Sequence, residues 1–156
     1  MSDRIVDGYT TVWWVTTLSS TTSPTATQIT AGVNLTSYIT KDGLDVSPDQ
    51  DTVDTTSLNS LTETEDLGMA KVDMSLTMKR QSTDTAWTTF ASNPSGYLVI
   101  RRGVANGTAA TAAQKCEVYT ARASNRIPLK PAKNEVEKFQ VKLVNQADHV
   151  IEATMA

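Results

Sequence analysis

A strict alternation of apolar and polar residues constrains the fold of this chain more than any other feature of its sequence. Between Val72 and Met78 every second residue is apolar and each residue between them is polar, a period of two that places the apolar side chains on one face of a β-strand. Residues 116–123 and 139–143 also alternate. Threonine, which favours strands, makes up roughly a sixth of the chain. The sequence therefore predicts a mainly β protein.

Further strands are predicted at residues 11–17, 29–36 and 96–102, where β-branched and aromatic residues cluster or alternate with polar ones. The apolar residues of segment 86–91 recur at three- and four-residue spacings, which predicts one short helix. The length and the order of these elements predict a single domain over residues 1–156, a β-sandwich or barrel with one short flanking helix.

Two segments do not follow this pattern. Residues 41–68 are polar and acidic with scattered apolar residues, and they predict a long irregular loop with one short strand near residues 44–46. Loops beyond about 12–15 residues are usually functional or disordered, so this loop is expected to dock on another surface. Residues 145–156 are predicted to form a C-terminal tail that carries the apolar pair Val150 and Ile151.

Two adjacent tryptophans lie in the first predicted strand. Trp13 and Trp14 must point to opposite faces of a sheet, because successive side chains of a strand alternate. One of them is expected to enter the core. The other is expected to meet solvent or a partner, and an exposed tryptophan indicates an interaction surface.

The sequence shows no pattern that is typical of catalysis. The lone histidine, His149, has no nucleophile motif near it and is expected at the surface, and Cys116 is expected to be a small buried strand residue. Arg101 and Arg102 are expected to be solvated at a strand end. There is no phosphate-binding loop and no zinc-type cysteine pair, and the acidic loop does not fit the calcium-loop template. The chain is predicted not to be an enzyme, and to use no cofactor and no metal.

The formal net charge is −3, from 14 basic and 17 acidic residues, which argues against tight nucleic-acid binding. The N-terminus lacks the apolar stretch of a secretion signal, and no apolar run reaches the about 18 residues of a membrane span. The protein is therefore expected to start in the cytoplasm and not to insert into a membrane.

The order of elements resembles the tail tube proteins of long-tailed, siphophage-type bacteriophages. The resemblance covers the TVWWVTT strand, the DGLDVSPDQDTVDTTSLNSLTETEDLG loop, the DMSLTMKR strand, the TDTAWTTFAS helix and GYLVIRRG. It implies a virion protein, made in the cytoplasm of the host bacterium, that self-assembles into homohexameric rings. The rings would stack into a hollow tube through which DNA passes without specific binding. The other implied partners are a tape measure protein and a tail tip or terminator protein.

In such families the long loop and the terminal segments reach neighbouring subunits.

Two other classes of protein remain compatible with the sequence. One is another β-rich virion protein, a tail terminator or a capsid decoration protein. The other is a carbohydrate-binding or adhesion module, although adjacent tryptophans cannot form one stacking platform. The expected residues of the inter-subunit or inter-ring interface are Trp13, Trp14, Leu44, Val46, Val53, Leu58, Leu61, Val150 and Ile151.

Overall fold

The computed structural model describes residues 2–156, and it consists mainly of antiparallel β-sheet. The predicted mainly β class is confirmed. The strands predicted at residues 11–17, 72–78, 96–102, 116–123 and 139–143 are confirmed. Within the described residues, the elements in chain order are β1 (Thr10–Val15), α1 (Ala26–Ala31), β2 (Val33–Asn34), β3 (Ile39–Asp54), β4 (Glu65–Lys79), α2 (Thr85–Thr89), β5 (Ser95–Arg102), β6 (Lys115–Ala123), β7 (Ile127–Pro128), β8 (Lys138–Asn145) and β9 (Val150–Thr154).

The strands form one connected sheet with the order β2-β1-β5-β6-β8-β4-β3, where the sequence predicted a sandwich or a barrel. β7 pairs with β8, and β9 pairs with β6. The segment between β2 and β3 binds both ends of this sheet: Leu35 N donates to Val12 O of β1 (2.9 Å), and Lys79 N at the end of β4 donates to Tyr38 O (2.7 Å). The two ends of the sheet are thereby held around a common core.

Both faces of the sheet bury apolar side chains. Trp14 and Leu98 pack in the larger core, which β1, β4, β5, β6 and β8 share. Trp13 and Val99, their neighbours in sequence, point the opposite way into a smaller core, which α1 covers with the fully buried Ile29. This alternation explains why the central strands β5 and β6 are so apolar, since each of them is buried on two sides.

The helix α1 replaces the first half of the strand predicted at residues 29–36. Thr25 caps the helix by accepting a hydrogen bond from Gln28 N (3.2 Å), and Ile29 anchors it in the smaller core. The threonine with a glutamine three residues later is a helix-start pattern. The prediction was wrong because the two-residue alternation of residues 29–35 does not determine the structure at Ile29, which lies on the helix three residues after Ala26. The second helix, α2, is the one that the sequence predicted, so the chain has two flanking helices where one was expected.

The predicted irregular loop at residues 41–68 is wrong, because most of it is a β-hairpin. β3 and β4 pair from Ile39–Met78 to Asp54–Glu65, and only residues 55–64 form the turn. The predicted tail also contains a strand, β9, which pairs with β6 and buries Ala153. Neither segment shows a clear alternation, since β9 is short and the outer part of the hairpin packs on neither core.

Candidate assembly site

The distal half of the β3–β4 hairpin projects beyond the sheet, and we name residues 49–71 the arm. Its root is the pair Pro48 and Val72, of which Val72 still reaches the larger core. Beyond that pair every residue is exposed except the half-buried Gly68. No residue of the arm belongs to either core. The arm is therefore held by strand pairing alone, and an isolated two-stranded hairpin is marginally stable in water.

Large apolar side chains of the arm face solvent. Leu58 and Leu61, at the tip, are as exposed as in an extended chain, with relative exposures of 106% and 105%. Val53, Leu67 and Met69 on the two strands are also exposed. Single exposed apolar residues are ordinary, but several on one protruding element mark an interaction surface. The predicted interface residues Val53, Leu58 and Leu61 all lie on this arm.

The tip of the arm has a defined geometry. Thr55 N donates to Thr64 O (2.9 Å), and the Thr64 hydroxyl lies 2.9 Å from that of Thr55. Asp54 accepts a hydrogen bond from Thr56 N (2.9 Å), and this bond, with that from the Thr56 hydroxyl, holds the pKa of the Asp54 carboxyl below its usual value. The two leucines are thus presented by an ordered turn.

The other predicted apolar interface residues lie closer to the two cores. Leu44 and Val46, at the base of β3, are half-buried against the larger core. Val150 of β9 packs against the smaller core, whereas its neighbour Ile151 is exposed. Of these four side chains, Ile151 offers the most free surface to a partner.

Both tryptophans are buried within the chain's own fold, so the expectation that one of them meets solvent or a partner is wrong. Trp14 is 1% exposed and packs on Phe90, with ring centroids 5.1 Å apart. Trp13 is 6% exposed and lies under Arg101, whose guanidinium carbon is 5.0 Å from its ring. The smaller core covers the second face of β1, which was expected to meet solvent or a partner. Neither indole is therefore available to a partner at the protein surface.

Arg101 is buried, so the expectation that it is solvated at a strand end is wrong. It is 0% exposed, and its guanidinium donates to the Thr11 hydroxyl (3.3 Å), to Thr108 O (2.9 Å) and to Gln114 Oε1 (3.1 Å). Burial lowers the pKa of Arg101 from its usual value. A signal was present: the residue two positions before it, Val99, faces the smaller core, so Arg101 faces the same way. It ties the connection between β5 and β6 to the sheet.

Charge is segregated along the hairpin. The arm contains six carboxylates and one lysine, a net charge of −5, and since the whole chain carries −3 the rest of the chain carries +2. Basic side chains lie at the opposite end of β4, on the connection that leads into β8 and at the start of β8. We name these six residues the basic end: Lys79, Arg80, Arg126, Lys130, Lys133 and Lys138.

The sheet topology brings the basic end together from distant parts of the sequence. Lys79 pairs across strands with Lys138, and Leu129 N donates to Lys138 O (3.1 Å), which places the connection before β8 beside both. Three carboxylates lie among the six bases, so the net charge of this region is +3. They are Asp84, which binds Arg80 at 2.8 Å, Glu137, 3.8 Å from the same arginine, and Glu135, 3.5 Å from Lys138.

A hollow beside the basic end offers an apolar wall. Trp87 packs edge-on against Phe139, with centroids 5.0 Å apart, and the guanidiniums of Arg80 and Arg126 each lie 4.1 Å from its ring. Trp87, Arg126 and the buried Phe90 line the hollow. The site combines an indole with cations, which suits an apolar and acidic segment.

The groups that could carry chemistry are dispersed. His149 is half-buried and stacks on Tyr119, with centroids 5.8 Å apart. Cys116 is buried, and burial raises its pKa to about 11, so the thiol stays protonated at neutral pH. Within residues 2–156, no cluster of three or more histidine, cysteine or acidic side chains is arranged to hold a metal ion. No helix in the described part of the chain is long and apolar enough to cross a membrane.

Comparisons with known proteins match a sequence family and several solved structures. The sequence model of the phage tail tube protein family matches residues 1–156. Among solved structures, the chain is similar to a chain of the six-fold symmetrised cryo-EM structure of the anti-feeding prophage (AFP) baseplate, with a TM-score of 0.64, 12% identity and 98% of each chain covered. At that identity the likeness shows a shared fold. No curated protein matches the sequence.

Proposed function

The chain belongs to the phage tail tube protein family, and we propose that it self-assembles into stacked rings that form the hollow tail tube of a long-tailed phage. The family makes it a structural protein of the phage tail and hence a component of the virion. In the proposed role the sheet of each subunit builds the tube wall, and DNA passes through the lumen without specific binding. Its chemistry is then assembly and not catalysis.

The arm is the observation that carries this proposal. It exposes Leu58, Leu61, Leu67 and Met69 to solvent and contributes nothing to the cores of its own subunit. A chain gains stability from such a segment only when a neighbour covers it. A protein that works as a monomer would have no use for several solvated leucines on a projecting hairpin, whereas a subunit of a polymer does.

We infer that the interface consists of the arm, with Val53, Leu58 and Leu61, and of Ile151 on β9. Leu44, Val46 and Val150 support these surfaces from the core side. Six subunits per ring is the number that the resemblance implies, and the structural neighbour belongs to a six-fold symmetrised assembly. The further proposed partners are a tape measure protein inside the tube and a tail tip or terminator protein at its ends.

The charge balance supports a conduit for DNA. With −3 per subunit, a six-membered ring would carry −18, and a ring with this net charge does not favour DNA binding by the release of counterions. The single buried thiol suits synthesis in the reducing cytoplasm of the host.

Removal of the arm tests the proposal directly. Pro48 and Val72 are cross-strand partners, so a two-residue Asn-Gly turn can replace residues 49–71 and close the shortened hairpin. We expect this variant to fold, to melt near the temperature of the wild type and to remain a monomer, while the wild type forms tubes in negative-stain electron microscopy.

A matched control keeps the arm and changes only its tip. The double variant Leu58→Ser, Leu61→Ser retains the hairpin hydrogen bonds but removes both apolar side chains, and it should assemble only at a higher protein concentration. Tubes formed by the armless variant would contradict the proposal. Rings of the wild type that never stack would favour a tail terminator in its place, and a protein that binds only to capsid surfaces would favour a decoration protein.

A further inference from the structure

We propose that the arm of one copy docks head to tail on the basic end of the next copy, with the leucines of the tip in the hollow beside Trp87. This inference rests on the proposed function and deepens it, since it names the surface that receives the arm. The arm and the basic end are different surfaces of the same chain. The contact is therefore heterologous, and a heterologous contact generates rings or open stacks.

The geometry excludes docking within one molecule. β4 runs continuously from the arm to the basic end, from Glu65 to Lys79. At about 3.3 Å per residue, Asp66 and Lys79 are about 40 Å apart along the strand. The arm cannot fold back, because its two strands are paired with each other and β4 continues straight into the sheet beside β8. The arm can therefore reach a basic end only on a second molecule.

The charges of the two surfaces are complementary. The arm carries −5 and the basic end carries +3 with its three interleaved carboxylates included. Lys79, Lys130 and Lys133 have no carboxylate within 4.0 Å among the described residues. Opposite patches of this kind steer two molecules into one orientation and disfavour the reverse, in which like charges would meet.

The apolar parts also match. Leu58 and Leu61 protrude from an ordered turn, and the hollow is walled by the half-buried Trp87 and the buried Phe90. Insertion would remove the leucines from water while Arg126 at the rim meets the carboxylates of the arm. An apolar anchor surrounded by a charged rim is the usual anatomy of a specific interface.

Charge reversal tests this pairing. The arm variant is Asp51→Lys, Glu63→Lys, Glu65→Lys; the hydrogen-bonded carboxylates of the arm, on Asp49, Asp54 and Asp66, stay unchanged. The basic-end variant is Lys79→Glu, Lys130→Glu, Lys133→Glu. Polymerisation is followed by sedimentation and by negative-stain microscopy over a range of protein concentrations. Each variant alone should need about a tenfold or higher concentration to assemble, while both retain the circular dichroism spectrum of the wild type.

The decisive sample is an equal mixture of the two variants. The reversed arm of one then faces the reversed basic end of the other, and the unaltered surfaces also face each other, so the mixture should assemble near the wild-type concentration. A folding defect cannot produce this rescue. The control variant Asp3→Lys, Asp7→Lys, Asp148→Lys makes the same change in net charge as the arm variant, on exposed residues outside both surfaces, and it should assemble like the wild type.

Several results would overturn the inference. If the wild type forms tubes and either variant alone forms them equally well, the arm docks elsewhere and the proposed function still stands. If both variants fold but their mixture fails to assemble, the two surfaces do not meet. If the basic-end variant assembles normally and loses only retention of duplex DNA, the basic end serves nucleic acid and not the arm. If the wild type forms no tubes at all, the proposed function falls together with the inference.

Discussion

The same substitution at two leucines should have opposite consequences. Leu76 of β4 is 0% exposed, whereas Leu58 at the arm tip is 106% exposed. Truncation to alanine removes three carbon groups, worth about 0.8 kcal/mol each when buried. The cavity that remains at Leu76 raises the loss to about 3–5 kcal/mol, while the loss at Leu58 should stay within about 0.5 kcal/mol.

The assay is a thermal melt of each variant below the concentration at which the protein assembles. For a domain of this length about 1 kcal/mol corresponds to about 2–4 °C, so Leu76→Ala should lower the Tm by about 6–20 °C and Leu58→Ala by no more than about 2 °C. In sedimentation at higher concentration the order reverses, because only Leu58→Ala removes a contact with a neighbour. An equal loss of stability in both variants would refute the view that the arm is free of its own core.

Three further predictions concern the body of the subunit. Arg101→Met should lower the free energy of unfolding in urea by about 1–3 kcal/mol, because the buried Thr11 hydroxyl loses its donor and the sheet loses its hydrogen bonds to the connection between β5 and β6. The exposed Arg122→Met should change it little. In Gly96→Ala the new methyl group would lie 2.8 Å from a carbonyl oxygen of β1 and 3.0 Å from an indole ring, so the Tm should fall by several degrees, whereas Ser95→Ala on the same strand should be neutral. Burial raises the pKa of Cys116 from 9.0 to about 11, so the neutral thiol stabilises the fold below about pH 9, and this contribution is lost as the pH rises to about 11. Urea unfolding of Cys116→Ala over this pH range should therefore show a smaller loss of stability than that of the wild type. An equal loss in both proteins would contradict the assignment.

The strands of the core could be predicted from sequence because one local rule determines them. Alternation over residues 72–78 and the apolar run of β5 follow from burial on one face or on two. The same rule mispredicted helix α1: residues 29–35 alternate with a period of two, but Ile29 is buried in the smaller core from a helix. A helix-start pattern at Thr25 and Gln28 was the available signal.

The candidate site was harder to predict because it depends on topology. The scattered apolar residues of the arm, such as Leu58 and Leu61, did indicate a docking segment. Its strands were invisible to pattern analysis, since neither face of the arm is buried in its own subunit. The basic end could not be read from the sequence at all: Lys79 and Lys138 are far apart along the chain and become cross-strand neighbours only when β4 pairs with β8.

The central claim is that this chain polymerises through its own surfaces into a hollow tube. Negative-stain electron microscopy of the purified wild-type protein over rising concentration tests it most directly. We expect rings with a central hole at intermediate concentration and stacked tubes at high concentration. A protein that remains a dispersed monomer at every concentration would contradict it.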